Sequence, residues 1–205
     1  MVTAGLVVAN LAVFALELSM GSDLEPFVRR WGLVSADLGE GPAAWITVLT
    51  STFVHAGWLH LLSNLLYLAV FGAPVERRLG AARFGTLYFA SGILGNVAHV
   101  LVQPASMIPA VGASGAISGV IAAHLVLFPG APLGSLAPVL FLRVVESTPV
   151  LLLLLVWLAA QLLSGVASLT TSTASTGIAW WAHLSGFGTG LALASVLKSR
   201  RRTRV

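Results

Sequence analysis

Ser114 lies two residues after Gly112 and directly before Gly115, and His183 is followed by Gly186 and Gly190. A hydroxyl becomes a nucleophile only when a neighbouring base takes its proton, and an imidazole, with a pKa near neutrality, suits that task. Gly115 with Gly119, and Gly186 with Gly190, are small-xxx-small pairs of the kind that let membrane helices touch closely. If the two glycine faces meet, Ser114 and His183 come together. His60 and Asn64 form a third group. Four residues apart, they share one face of a helix. Attack on an acyl carbonyl creates an oxyanion that needs preorganised donors, and Asn64 offers an amide N–H and His60 a ring N–H.

The remaining inventory narrows the chemistry. The acids are Glu17, Asp23, Glu25, Asp37, Glu40, Glu76 and Glu146, and only Glu17 falls inside an apolar segment, near its outer end. A Ser/His dyad is therefore expected rather than a triad with a carboxylate. Cysteine is absent, which removes thiol nucleophiles, disulfides and thiolate metal sites. No metal, nucleotide or flavin motif is present, so neither a metal nor a cofactor is expected. His55, five residues before His60, points elsewhere and is expected at the membrane interface. His99 and His124 stand without polar company and are expected to make interhelical hydrogen bonds.

These side chains sit in a chain that a soluble fold cannot use. Of 205 residues, 57% are hydrophobic and 9% charged, against roughly 25% charged in ordinary soluble domains. Mean hydropathy is +0.94. Disorder is excluded by the same numbers, because it requires low hydrophobicity and high charge. The expectation is an all-α polytopic membrane protein, a bundle of six transmembrane helices in one domain over 1–205. The expected spans are residues 2–18, 52–73, 84–102, 113–128, 149–163 and 178–197, each set against the roughly 20 apolar residues a crossing needs. The second is expected to stop at Pro74. No Lys or Arg precedes the first span, which favours a membrane helix over a signal peptide. Residues 27–34 mix Arg with aromatic and aliphatic side chains as interfacial segments do, and a Ser/Thr-rich loop is expected at residues 168–176.

The basic residues test this topology. Lys198, Arg200, Arg201, Arg202 and Arg204 follow the last span as a basic tail, 198–205, which reads as a cytoplasmic membrane anchor and not as a nucleic-acid patch. With both termini in the cytoplasm, Arg77, Arg78, Arg83 and Arg143 join that tail inside, and only Arg29 and Arg30 lie outside. The second, fourth and sixth spans then carry His60, Asn64, Ser114 and His183 to similar depths near the outer face.

At these residues the sequence resembles the rhomboid intramembrane serine proteases. The resemblance lies in His55-Ala-Gly-Trp-Leu-His60-Leu-Leu-Ser-Asn64, in Gly112-Ala-Ser114-Gly115, in Ala182-His183-Leu-Ser-Gly186-Phe-Gly-Thr-Gly190, and in Val75-Glu76-Arg77-Arg78-Leu79-Gly80. It implies a six-helix rhomboid-like bundle with Ser114 as nucleophile and His183 as general base. It implies an oxyanion hole made by His60, Asn64 and the backbone N–H of Ser114. Gly112, Gly115, Gly119, Gly186 and Gly190 would support the site, and Glu76 and Arg78 would be structural, tying the cytoplasmic loop. Two positions depart from the family pattern. Ile46 and Thr47 stand where many members have Trp-Arg, and Ser118 stands where some have a Tyr that stacks on the catalytic His.

The expected activity is that of a serine-type endopeptidase cutting single-pass transmembrane proteins in or near their membrane segment. Its partners would be those substrates and the lipid bilayer, with no nucleic acid and no small-molecule cofactor. The expected location is a prokaryotic cytoplasmic membrane. Two other classes compete. A catalytically silent rhomboid-like protein that binds membrane clients would be expected to lack Ser114 or His183. A small transporter would use discontinuous helices and mid-membrane ionisable groups, yet no inverted repeat or mid-membrane acid is visible.

Overall fold

The computed structural model describes residues 1–131, 157–159, 161–167 and 179–198. Arg143, Glu146, the loop expected at residues 168–176, and the tail beyond Lys198 lie outside them. As expected, the chain is an all-α membrane bundle, and no strand occurs among the described residues beyond one isolated bridge between Leu33 and Ala110. The helices are α1 (Val2–Ser19), α2 (Leu24–Trp31), α3 (Trp58–Leu79), α4 (Ala81–Val102), α5 (Ser114–Leu127), α6 (Trp157–Ala167) and α7 (Trp180–Leu197). Helices α1, α3 and α4 are each long and apolar enough to cross a membrane by themselves, whereas α5 and α6 are shorter apolar helices.

Helices α4, α5 and α7 form the centre. They pack so closely because small residues line their contacts. A Cβ on Gly95 of α4 would sit 2.6 Å from the Ala182 carbonyl oxygen of α7. Cβ atoms on Gly186 and Gly190 would collide with the backbone carbonyls of Gly115 and Gly119, and one on Gly119 would collide with Ser91. The apolar core around this contact includes Phe84, Leu87, Tyr88, Val120 and Ile121, all essentially inaccessible.

Helix α3 departs from the sequence expectation at both ends. It starts at Trp58 rather than at residue 52, after Gly57 turns the chain with φ +132°. It also continues through Pro74 to Leu79. The physical reason is a π turn at Leu68–Gly72, which ends two residues before the proline. That turn loosens the hydrogen-bond ladder just where Pro74 lacks an N–H and would press on the carbonyl one turn back.

The long connection from α1 to α3 is held by polar ties and a small core of Leu33, Leu38, Val48 and Ala110. Leu33 and Ala110 exchange backbone hydrogen bonds of 2.9 and 2.8 Å, joining this connection to the approach to α5. Asn96 of α4 donates to the Val48 carbonyl at 2.8 Å and to Ser51 Oγ at 3.0 Å, and Thr50 Oγ1 donates to the Trp31 carbonyl at 2.8 Å. These bonds brace the loop with Ile46 and Thr47 in place of Trp-Arg. Amphipathic α2 lies in this connection, and its Arg29 forms an exposed ion pair with Asp37 at 3.1 Å.

Glu76 fastens α1 to α3 at the other end. Its carboxylate accepts the Val2 and Thr3 backbone N–H groups at 2.7 and 2.9 Å and the Thr3 hydroxyl at 2.7 Å. It thus fills, from a different helix, the capping role that the first turn of α1 needs. Arg78 was expected to share this structural duty. Its side chain is instead exposed and makes no hydrogen bond or ion pair among the described residues, because it projects from the solvent face one turn beyond the proline.

Candidate active site

The N-terminus of α5 presents Ser114 to the bundle. Gly112 precedes it with φ +112°, a conformation disfavoured for residues with a side chain, and its N–H donates to the Ser51 carbonyl at 2.9 Å. That bond pins the approach, and helix α5 begins at Ser114 itself. The Ser114 N–H therefore belongs to the first turn, where N–H groups have no intrahelical acceptor and the helix dipole favours negative charge.

The two glycine faces meet, and Ser114 Oγ lies 2.6 Å from His183 Nε2. His183 is 9% exposed, so the contact is largely shielded. Its ring is bounded by Trp157, with centroids 6.3 Å apart and planes tilted by 31°, and by the edge of Trp180 at 6.1 Å. These two tryptophans flank the ring from α6 and α7. Ser118, at the position where some family members have a tyrosine, donates to the Ser114 carbonyl at 2.7 Å.

His60 and Asn64 converge on the same approach from α3. A Cβ on Gly112 would sit 2.6 Å from His60 Nε2 and 3.6 Å from Asn64 Nδ2, so both nitrogens face the backbone just before Ser114. His60 Nδ1 accepts the Ala56 N–H at 3.4 Å, which leaves the ring hydrogen on Nε2 as a donor. Asn64 Nδ2 donates one hydrogen to the His60 carbonyl at 2.9 Å and keeps a second. His60, Asn64, Ser114, Ser118, Trp157 and His183 line one cavity of about 800 Å³. The arrangement can therefore offer a hydroxyl beside a base, with several N–H donors nearby and space for an extended peptide.

Sequence reasoning missed one polar neighbour here. Gln161 of α6 places its Oε1 2.6 Å from His183 Nδ1. In the sequence it is one amide in an apolar stretch, and only its three-dimensional position marks it.

The other histidines differ from expectation. His55 is buried and turned toward His60 rather than away from it. Its N–H donates to the buried Glu17 carboxylate of α1 at 3.0 Å, and its ring meets that of His60 edge-on at 5.2 Å. Glu17 draws the loop inward because a buried carboxylate needs donors. Burial, followed by the neighbouring His60, lowers the His55 imidazole to about 4, so this ring is neutral at neutral pH. His99 and His124 make no side-chain hydrogen bond among the described residues, and Nδ1 of each is buried without a partner. His124 is instead packed between Phe71 and Phe128, at 5.2 and 4.9 Å, because aromatic rings surround it where an acceptor was expected.

A family model described as the rhomboid domain matches residues 42–200. The chain is 39% identical over 89 residues to a protein named putative rhomboid protease YdcA from Bacillus subtilis, covering 43% of this chain and 44% of that protein. It is 37% identical over 116 residues to rhomboid protease GluP of the same organism, covering 56% of this chain and 22% of the relative. It is also 38% identical over 88 residues to inactive rhomboid protein 1 of Drosophila melanogaster, covering 43% of this chain and 6% of that protein. The chain thus spans less than half the length of each of these relatives.

Proposed function

This chain belongs to the rhomboid family, and we propose that it is a serine-type endopeptidase that hydrolyses a peptide bond in or near the transmembrane segment of single-pass membrane proteins. The whole of 1–205 acts as one rhomboid-like membrane domain. The observation that carries this reading is the 2.6 Å approach of Ser114 Oγ to His183 Nε2 in a cavity also lined by His60 and Asn64.

Ser114 Oγ attacks the substrate carbonyl carbon while its proton passes to His183 Nε2. The carbonyl electron pair moves onto oxygen, and the oxyanion is received by His60 Nε2–H, the free Asn64 amide hydrogen and the Ser114 backbone N–H. Collapse breaks the C–N bond, and the leaving amine takes the proton from Nε2. Water, deprotonated by Nε2, then cleaves the acyl ester and restores Ser114. An extended substrate backbone must be hydrogen-bonded within the bilayer, which a protein-lined, water-accessible cavity permits.

The test is cleavage of a panel of single-pass substrates by purified protein, with fluorophosphonate labelling in parallel. Wild type cuts and is labelled, Ser114→Ala does neither, and His183→Ala loses most of both. Labelling that persists in Ser114→Ala overturns the assignment. Binding of clients without cleavage by wild type would favour the silent, client-binding reading that similarity to an inactive rhomboid protein raises.

Charge supports an orientation with both termini in the cytoplasm and the site opening outward; the proposed location is a prokaryotic cytoplasmic membrane. The chain lacks cysteine, so single cysteines report this directly. In intact cells an impermeant thiol reagent should reach Ser22→Cys, before α2, and should reach Ala82→Cys, at the start of α4, only after lysis. The reverse pattern would invert the topology.

A further inference from the structure

His183 uses both ring nitrogens, and the reaction above assigns only one. Its Nδ1 lies 2.6 Å from Oε1 of Gln161, a residue 8% exposed that lines the same cavity. A carboxamide oxygen only accepts, so the hydrogen of the neutral ring resides on Nδ1. The Nε2 lone pair is then directed at Ser114 Oγ, 2.6 Å away.

We propose that Gln161 is a positioning residue for His183, selecting the Nδ1–H tautomer and so leaving Nε2 free to act as the base. This proposal rests on the serine-protease reading. Without an acceptor at Nδ1, the neutral ring can carry its hydrogen on Nε2, where it donates to Ser114 Oγ and cannot take the serine proton. Trp157 and Trp180 restrict the plane of the ring, but an aromatic wall does not select between its nitrogens. Among the described residues no carboxylate is available for the task. Glu17 is engaged with His55 and Glu76 with the start of α1. Once Nε2 takes the serine proton, the same Nδ1–H becomes charge-assisted, and the Gln161 carbonyl dipole receives it. An amide performs this role without placing a second ionisable group in a membrane interior, where a charge is costly.

The experiment uses full-length protein in lipid nanodiscs, comparing wild type with Gln161→Met, Gln161→Leu and Gln161→Glu on one cleavable substrate. Methionine preserves the length and approximate volume of the side chain, so it guards against misfolding of the leucine variant. The methionine variant should lose about tenfold in kcat, the magnitude of one ordinary buried hydrogen bond, with KM changed less than twofold. Gln161→Glu, which restores the acceptor, should stay within about threefold of wild type. Nitrogen-15 spectra of imidazole-labelled protein, assigned with His183→Ala, should show the His183 ring hydrogen on Nδ1 in wild type and redistributed toward Nε2 in Gln161→Met. Unchanged kcat with an unchanged tautomer overturns the proposal, as does a rise in KM at constant kcat, which would make Gln161 a substrate contact. If wild type shows no Ser114-dependent cleavage, the protease reading fails, while the spectra still decide whether Gln161 sets the His183 tautomer.

Discussion

Ser114 and His183 are positioned in a different way from His60 and Asn64. Ser114 and His183 ride on α5 and α7, whose backbones touch because Gly115, Gly119, Gly186 and Gly190 have no side chains to hold them apart. His60 and Asn64 ride on α3, which meets the core through larger side chains, Leu68, Phe71 and Val75, and is tied at its ends by polar contacts: Glu76 at one end, the pinned approach at Gly112 and the Glu17–His55 contact at the other. One half of the site is thus set by backbones in direct contact, and the other by side-chain packing with polar ties at the helix ends. Close packing fails abruptly when atoms are added, whereas polar ties can be weakened one at a time.

The largest effect should come from adding atoms at the tight contact. Gly186→Val places a side chain on the Gly115 carbonyl and should cost about 3 kcal/mol or more by overpacking. Thermal unfolding in detergent should show a large fall in Tm together with loss of cleavage. A variant that keeps the wild-type Tm would show that the α5–α7 contact yields easily and that the contrast is wrong.

Removing a donor should leave the fold intact and slow the reaction. His60→Ala and Asn64→Ala should each reduce kcat, by up to about 10²–10³-fold if one donor has the usual weight, and less if the others compensate. His99→Ala should leave the rate near wild type. Full activity in Asn64→Ala alongside loss in His99→Ala would remove the oxyanion assignment.

The smallest effect is expected at the far end of α3. Glu76→Gln keeps one acceptor but loses the charge that receives the Val2 and Thr3 N–H groups. About 1.5 kcal/mol of stability should be lost, the lower bound for hydrogen bonds to a charged group. A modest fall in Tm with kcat nearly unchanged is the expected result. A loss of kcat as large as that of Asn64→Ala would mean the two ends of α3 are coupled rather than independent.

The parts of the site that were legible in the sequence are those set by glycine. Gly115 and Gly119 after Ser114, and Gly186 and Gly190 after His183, point to a close approach before any coordinate is known, because two such pairs, one beside a serine and one beside a histidine, carry together what neither carries alone. The partnership of His60 with Asn64 was legible from its helical spacing alone. Contacts that depend on which face of a uniformly apolar helix turns inward were not. Gln161 sits in an apolar stretch, between Ala160 and Leu162, with no periodic contrast to orient it, and the burial of His55 depends on Glu17, thirty-eight positions earlier in the chain. The path through Pro74 was misjudged because a π turn leaves no strong composition signal.

The Glu76 contact has a consequence for the order in which this protein can be assembled. The groups it satisfies, at Val2 and Thr3, are separated from it by 74 and 73 positions of chain. During synthesis α1 therefore emerges long before its cap exists. Its first turn must rely on water or lipid headgroups until the end of α3 arrives, so α1 remains a loosely seated early arrival. The emergence of Glu76 from the ribosome is the event that can lock it in place.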